Sequence, residues 1–206
     1  MRPISSPYVS RHPRTRFERA TGQPGIPTLD DWIPEPAVRT HLSRSADATP
    51  EQLWQAAETV KLSDTRTLGH LVRWRIPGLE QDQTFWDLLR TYPFTLLDEG
   101  PHWTISGICG RIWTKATDYP ELRGGDDFRA WDEPGTVRVI FGHWVREAGA
   151  GRAELVSEER IEALDAQAAR RLRALWRVVG PFQDVIAAEP LPVAVRRAER
   201  NTGLQG

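Results

Sequence analysis

The stretch GTVRVIFGHWVREAGAGRAELVSEERIEAL, Gly135 to Leu164, constrains the fold of this 206-residue chain more than any other. Its alternation predicts two strands around a glycine-bearing turn. If the loop centres on Ala150, His143 faces Ser157, Phe141 faces Glu159 and Val139 faces Ile161. One face then carries Val137, Val139, Phe141, His143, Ser157, Glu159 and Ile161. The other carries Arg138, Ile140, Trp144 and Arg146 against Glu158, Arg160 and Glu162, a charge density that suits solvent. A slip of one residue would exchange the faces of one strand, so this reading rests on the register.

An antiparallel sheet with one apolar face needs a cover for it. Upstream, AVRTHLSRSAD (Ala37 to Asp47) reads as a first strand. A helix follows: Thr49 is the N-cap, Pro50 suits the first helical position, and Leu53, Trp54, Ala57 and Val60 have helical spacing. Asp64 to Gly78 fits a helix through Leu68, Leu71, Val72 and Arg75, or a strand through His70, Val72, Trp74 and Ile76. Helix is preferred, ended before Pro77. QTFWDLLRTY reads as a short amphipathic helix and PFTLLDEG as a short strand. HWTISGICGRIW alternates, with Trp103, Ile105, Cys109, Arg111 and Trp113 on one face. DYPELRGGDDFRAWDEPG reads as loop.

From Ala166, capped by Asp165, a long helix carries a stripe of Ala169, Leu172, Leu175, Trp176, Val179, Phe182 and Ile186. Pro181 should kink or break it. No other element is long enough to lie across the sheet. The expected fold is therefore α+β: a curved antiparallel sheet wrapped on a long C-terminal helix, with short helices after the first strand. Sheets that grip a helix in this way often enclose a cavity for a small apolar molecule.

SADATPEQLWQAAETV, PFTLLDEG with HWTISGICGRIW, FRAWDEPGTVRVIF, LVSEERIEALD and ARRLRALWRVVGPF together resemble the START-like or SRPBCC superfamily, the helix-grip proteins of the Bet v 1 and polyketide cyclase type. The resemblance covers residues 37–200. It implies the helix-grip fold and leaves function open between carriers, receptors, aromatase/cyclases and co-chaperones. Residues 1–36 stand outside it as a Pro/Arg-rich extension, expected to be partly disordered, whose LDDWIPEP end could dock on the domain. Residues 201–206 read as a tail.

With Trp103, Ile105, Cys109, Arg111 and Trp113 set on the concave side, the expected ligand-binding wall comprises these with Val139, Phe141, His143, Ser157, Glu159, Leu172, Trp176 and Val179. Arg111 and Glu159 would compensate each other if adjacent, and His143 would bond to Ser157 or Glu159. Three readings remain: an ion pair that fixes sheet register, groups at a wet rim, or the polar floor of an apolar cavity. A small hydrophobic or aromatic ligand without obligatory chemistry is the leading function. The enzymatic alternative is a cyclase or dehydratase using His143 and Glu159 for proton transfer, with Arg111 as oxyanion partner.

A third alternative is an interaction module using the basic arm of Arg11, Arg14, Arg16 and Arg19, or a surface tryptophan such as Trp144. The net charge of −1 gives no reason to expect nucleic acid. The lone Cys109 rules out an intrachain disulfide and reads as a small core residue rather than a nucleophile. No histidine motif has metal-ligand spacing and no glycine-rich loop has phosphate-binding spacing, so neither metal nor cofactor is expected. The absence of an apolar leader or of an apolar run of about 18 residues suggests a cytoplasmic protein without a membrane span. Oligomeric state stays open, a homodimer included.

Overall fold

A computed structural model describes residues 28–76, 78–114 and 119–203. The order is β1 (Val38–Ala46), α1 (Pro50–Glu58), α2 (Leu68–Arg75), α3 (Phe85–Leu88), β2 (Thr95–Gly100), β3 (Trp103–Gly110), α4 (Gly125–Ala130), β4 (Val137–Glu147), β5 (Ala153–Ala163), α5 (Ala166–Ala187) and α6 (Pro190–Gly203). The five strands form one open sheet in the order β1-β5-β4-β3-β2, with every pairing antiparallel. The fold is α+β with a long closing helix, the helix-grip arrangement.

Local chemistry sets the helix starts. The Thr49 hydroxyl accepts from Gln52 N at 3.2 Å, while Gln52 Oε1 accepts from Thr49 N at 3.0 Å. Asp165 caps α5 by accepting from Ala168 N at 2.7 Å. Residues 68–75 are helical. Pro181 does not end α5, which runs on to Ala187. Pro181 and Arg177 both lie on the solvent side, so the carbonyl freed by the missing N–H is left to water.

The hairpin has the expected register: His143 opposes Ser157, Phe141 opposes Glu159 and Val139 opposes Ile161. On the concave side Leu172 of α5 presses against Val137, Val139 and Ile161. Further along, Leu53, Trp54 and Ala57 of α1 pack with Leu191, Ala194 and Ala198 of α6.

The convex face corrects the expectation of a solvated surface. Ile140, Val156 and Trp144 are buried, so Trp144 is not a surface tryptophan. Leu29, Trp32 and Ile33 cover them together with Phe128 of α4, a helix inside the segment read as loop. Gly142 admits this cover, because a Cβ there would come within 2.9 Å of Leu29. The charges expected in water neutralise one another instead. Arg160 Nε donates to Glu158 Oε1 at 2.6 Å, and Arg160 Nη1 donates to Asp30 and to the Ile33 carbonyl. Arg39 and His41 bond the other Glu158 oxygen at 2.9 and 2.8 Å. Burial pushes the Glu158 carboxyl up, but these hydrogen bonds outweigh it and hold it below the usual carboxylate range.

Candidate functional site

A cavity of about 180 Å³ lies between the concave face and the helices. Strands β1, β4 and β5 supply Thr40, Leu42, Phe141, His143, Leu155, Ser157 and Glu159. The helices close it with Val72, Trp86, Gln183, Leu191 and Ala194 among others. Its lining is mostly apolar, with few polar groups, as small-ligand sites are. A second, more open hollow of about 360 Å³ adjoins it beneath α2 and α5, walled by Leu71, Val139, Leu175 and Val179. Both hollows share Val72, Phe94, Phe141, Glu159 and Gln183. Arg75 stands at the outer one, donating to the Tyr119 hydroxyl with its guanidinium 5.1 Å from the Tyr119 ring centre.

His143 has Trp86 against it, with ring centres 5.3 Å apart. Burial pulls its imidazole down to about 4, so it is neutral at physiological pH. His143 Nδ1 is buried and has no hydrogen-bond partner among the described residues. The same holds for Trp86 Nε1 and for Thr104 and Ser106, which oppose His143 and Phe141 on β3. Buried polar atoms usually find partners, so a group of them on one sheet face needs an explanation.

Burial pushes the Glu159 carboxyl up to about 7, against the pull of one hydrogen bond from Gln183 Nε2 at 2.8 Å. Near neutrality it exists in both protonation states. The cavity wall therefore carries a neutral imidazole and a carboxyl able to take or give a proton, with the Trp86 indole packed beside the imidazole.

The structure brings together Phe141, His143, Ser157 and Glu159, and puts Val139 and Val179 on the adjoining hollow. It moves others away. Trp103, Ile105 and Cys109 pair with Trp144, Gly142 and Arg138, so they belong to the convex face. Burial there pushes the Cys109 thiol up to about 12. Strand β3 ends at Gly110, whose φ of +131° turns the chain. Arg111 consequently leaves the sheet face and bonds to exposed Glu133 at 3.3 Å, remote from Glu159 in its pairing. Trp113 swings back beside Ile108 and Val139. Leu172 fills space against Val139 and Ile161, with Trp176 beside it. The expected bond between His143 and Glu159 is replaced by the one from Gln183.

Trp86 and Gln183 were not foreseen as site residues. Gln183 had a signal: it is the polar interruption four residues after Val179 in an otherwise apolar stripe. Trp86 had none, because it lies in a helix one turn long. Among the described residues no three His, Cys, Asp or Glu side chains gather as a metal site.

No protein-family model and no curated protein matches the chain. Solved structures give distant likenesses. A hypothetical protein of Helicobacter pylori aligns with 11% identity and a TM-score of 0.42, over 87% of this chain and 99% of its own. A Mesorhizobium loti protein aligns with 12% identity and a TM-score of 0.36, over 79% and 98%. An aromatase/cyclase from Streptomyces sp. R1128 aligns with 14% identity and a TM-score of 0.34, over 80% and 95%.

Proposed function

We propose that this chain is a START-like, SRPBCC-type binding protein that holds a small hydrophobic or aromatic ligand between the sheet and the closing helices. The observation that carries the reading is the apolar cavity lined by His143 and Trp86, whose Nδ1 and Nε1 are buried beside it without partners among the described residues. A small turn of either ring would let a bound hydroxyl or carbonyl bond to them while its apolar body meets Phe141, Leu42 and Leu191. With His143 neutral, this spot supplies no full positive charge, so an uncharged phenol or ketone suits it better than a carboxylate.

The test is titration with 1-naphthol, read by tryptophan fluorescence, alongside native mass spectrometry of protein purified from its own host. Saturable binding, weakened at least ~10-fold in His143→Leu, is expected, since a lost buried hydrogen bond is worth about that much. No binding together with a bare chain in the mass spectrum would defeat the reading.

A second reading is cyclase- or dehydratase-like proton transfer. The Glu159 carboxyl, held up to about 7 in the cavity wall, favours it. His143 would act from the same cavity rather than as a bonded couple with Glu159. Glu159→Gln separates the two readings: it removes turnover under the second and leaves binding intact under the first. The interaction reading rests on the arginines of residues 11–19, which lie outside the described residues.

A further inference from the structure

Among the described residues nothing covers the outward face of α5. Val178, Phe182 and Val185 are 71%, 63% and 73% exposed and recur at helical spacing. On α2, Trp74 is 72% exposed and Leu71 44%. Leu71 and Leu175 both line the outer hollow, so the two helices flank its mouth. Scattered apolar surface residues need no explanation, but a cluster of large ones does.

Arginines stand beside the cluster, with Arg173 and Arg177 on the side of α5 toward Val38. Arg170, Arg171, Arg173 and Arg177 are exposed on α5 against one acid, Asp184, giving the helix four minus one, or +3. Arg171, Arg173 and Arg177 form no ion pair among the described residues. Arg66 and His70 are exposed at the start of α2. In a chain of net charge −1 this concentration is local.

The stretch Ala166–Thr202 includes an 18-residue window of mean hydropathy 1.2 that is only 11% buried. It is not free to cross a bilayer. Leu191, Ala194 and Ala198 are buried in the core against α1. Glu189 ties the join between α5 and α6 to the start of α2 by accepting from Thr67 and Leu68 N. An amphipathic helix that exposes large apolar residues flanked by arginines lies along an interface.

We propose that α5 and α2 form a docking face for the surface of an anionic lipid bilayer. Trp74, Val178, Phe182 and Val185 enter the boundary between headgroups and acyl chains. The arginines meet the lipid phosphates, each basic residue adding attraction that salt screens. A second copy of the chain is the poorer occupant. A two-fold interface through this face would offer the four arginines of each α5 only one acid, Asp184, from the α5 of the other copy. The proposal stands apart from the cavity reading, since it needs only the outer surface.

The experiment is flotation of the full chain with vesicles of phosphatidylcholine alone or with about 30% phosphatidylserine, at low and high salt. Binding to the anionic vesicles, at least ~10-fold weaker to neutral ones and reduced by salt, is expected. Phe182→Glu with Val185→Glu should reduce it at least ~10-fold, and Arg171→Glu with Arg177→Glu should also flatten the salt dependence. Thermal melts check that these exposed substitutions leave the fold intact. No flotation, or flotation indifferent to both double variants, overturns the proposal. Self-association abolished by the Phe182 and Val185 pair, without vesicle binding, also overturns it and assigns the face to a second copy.

Discussion

Gln183 Nε2 donates to Glu159 Oε2 at 2.8 Å and so ties the closing helix to the sheet where the two hollows meet. That bond is the one influence lowering a carboxyl that burial otherwise raises. Gln183→Leu removes it. The Glu159 carboxyl should then titrate above its parent value of about 7, followed by the carbon NMR shift of its side chain. A midpoint at or below the parent's would contradict the account.

His143 and Glu159 should oppose each other in the pH dependence of stability. The folded chain keeps the Glu159 proton up to about pH 7, whereas the unfolded chain loses it near 4.5, so this term lowers stability as pH rises between them. The unfolded chain binds a His143 proton below 6.5, whereas the folded chain refuses it down to about 4, so this term raises stability with pH over that range. The slopes cancel where the windows overlap. Relative to parent, His143→Phe should therefore lose stability as pH rises through the overlap, and Glu159→Gln should gain it, each by on the order of 2 kcal/mol. Urea unfolding at a series of pH values reads both signs. Parallel curves for the three proteins would sink the prediction.

The N-terminal cover is part of the core. A chain beginning at Ala37 loses Leu29, Trp32 and Ile33, all buried. At about 1.5–3 kcal/mol for each buried apolar side chain, the loss should be on the order of 5 kcal/mol. Arg160→Met should cost about 3 kcal/mol, because it strips one donor from the 3% exposed Glu158 and the donor from the Ile33 carbonyl. Denaturation midpoints equal to the parent's would show that the convex network does not stabilise the fold.

Cys109 should be silent in both chemistry and binding. Its thiol is buried on the convex face, and burial pushes it up to about 12. In the native protein a disulfide reagent should react orders of magnitude more slowly than in urea, and Cys109→Ala should leave 1-naphthol affinity unchanged. Fast native labelling would place the thiol elsewhere.

Much of the frame was legible in the residues alone. Glycines on both sides of Ala150 set the hairpin register, and that register put Phe141, His143, Ser157 and Glu159 on one face. Thr49 and Asp165 announced their helices because a side-chain oxygen that satisfies an end N–H is a local device. These features depend on neighbours in sequence or on strands joined by a short turn.

The face assignment of β3 was not legible, for a physical reason. Alternation separates two faces, but it identifies the inner one only when the other meets water. Here the convex side is also covered, by Leu29, Trp32, Ile33 and Phe128, so both sides of β3 are buried. Only the pairing with β4, which sets Thr104 against His143 and Ile105 against Gly142, decides which side looks into the cavity. The charges of Glu158 and Arg160 misled for the same reason, since partners distant in sequence, Asp30 and Arg39, let them be buried. The sequence by itself determined the hairpin and its polar spot, the first helix and the closing helix with their caps, but not α4, which lies in a stretch that reads as loop. Only the tertiary structure decided which aromatics surround that spot, because contacts between distant segments are chosen by packing and charge compensation across the whole fold.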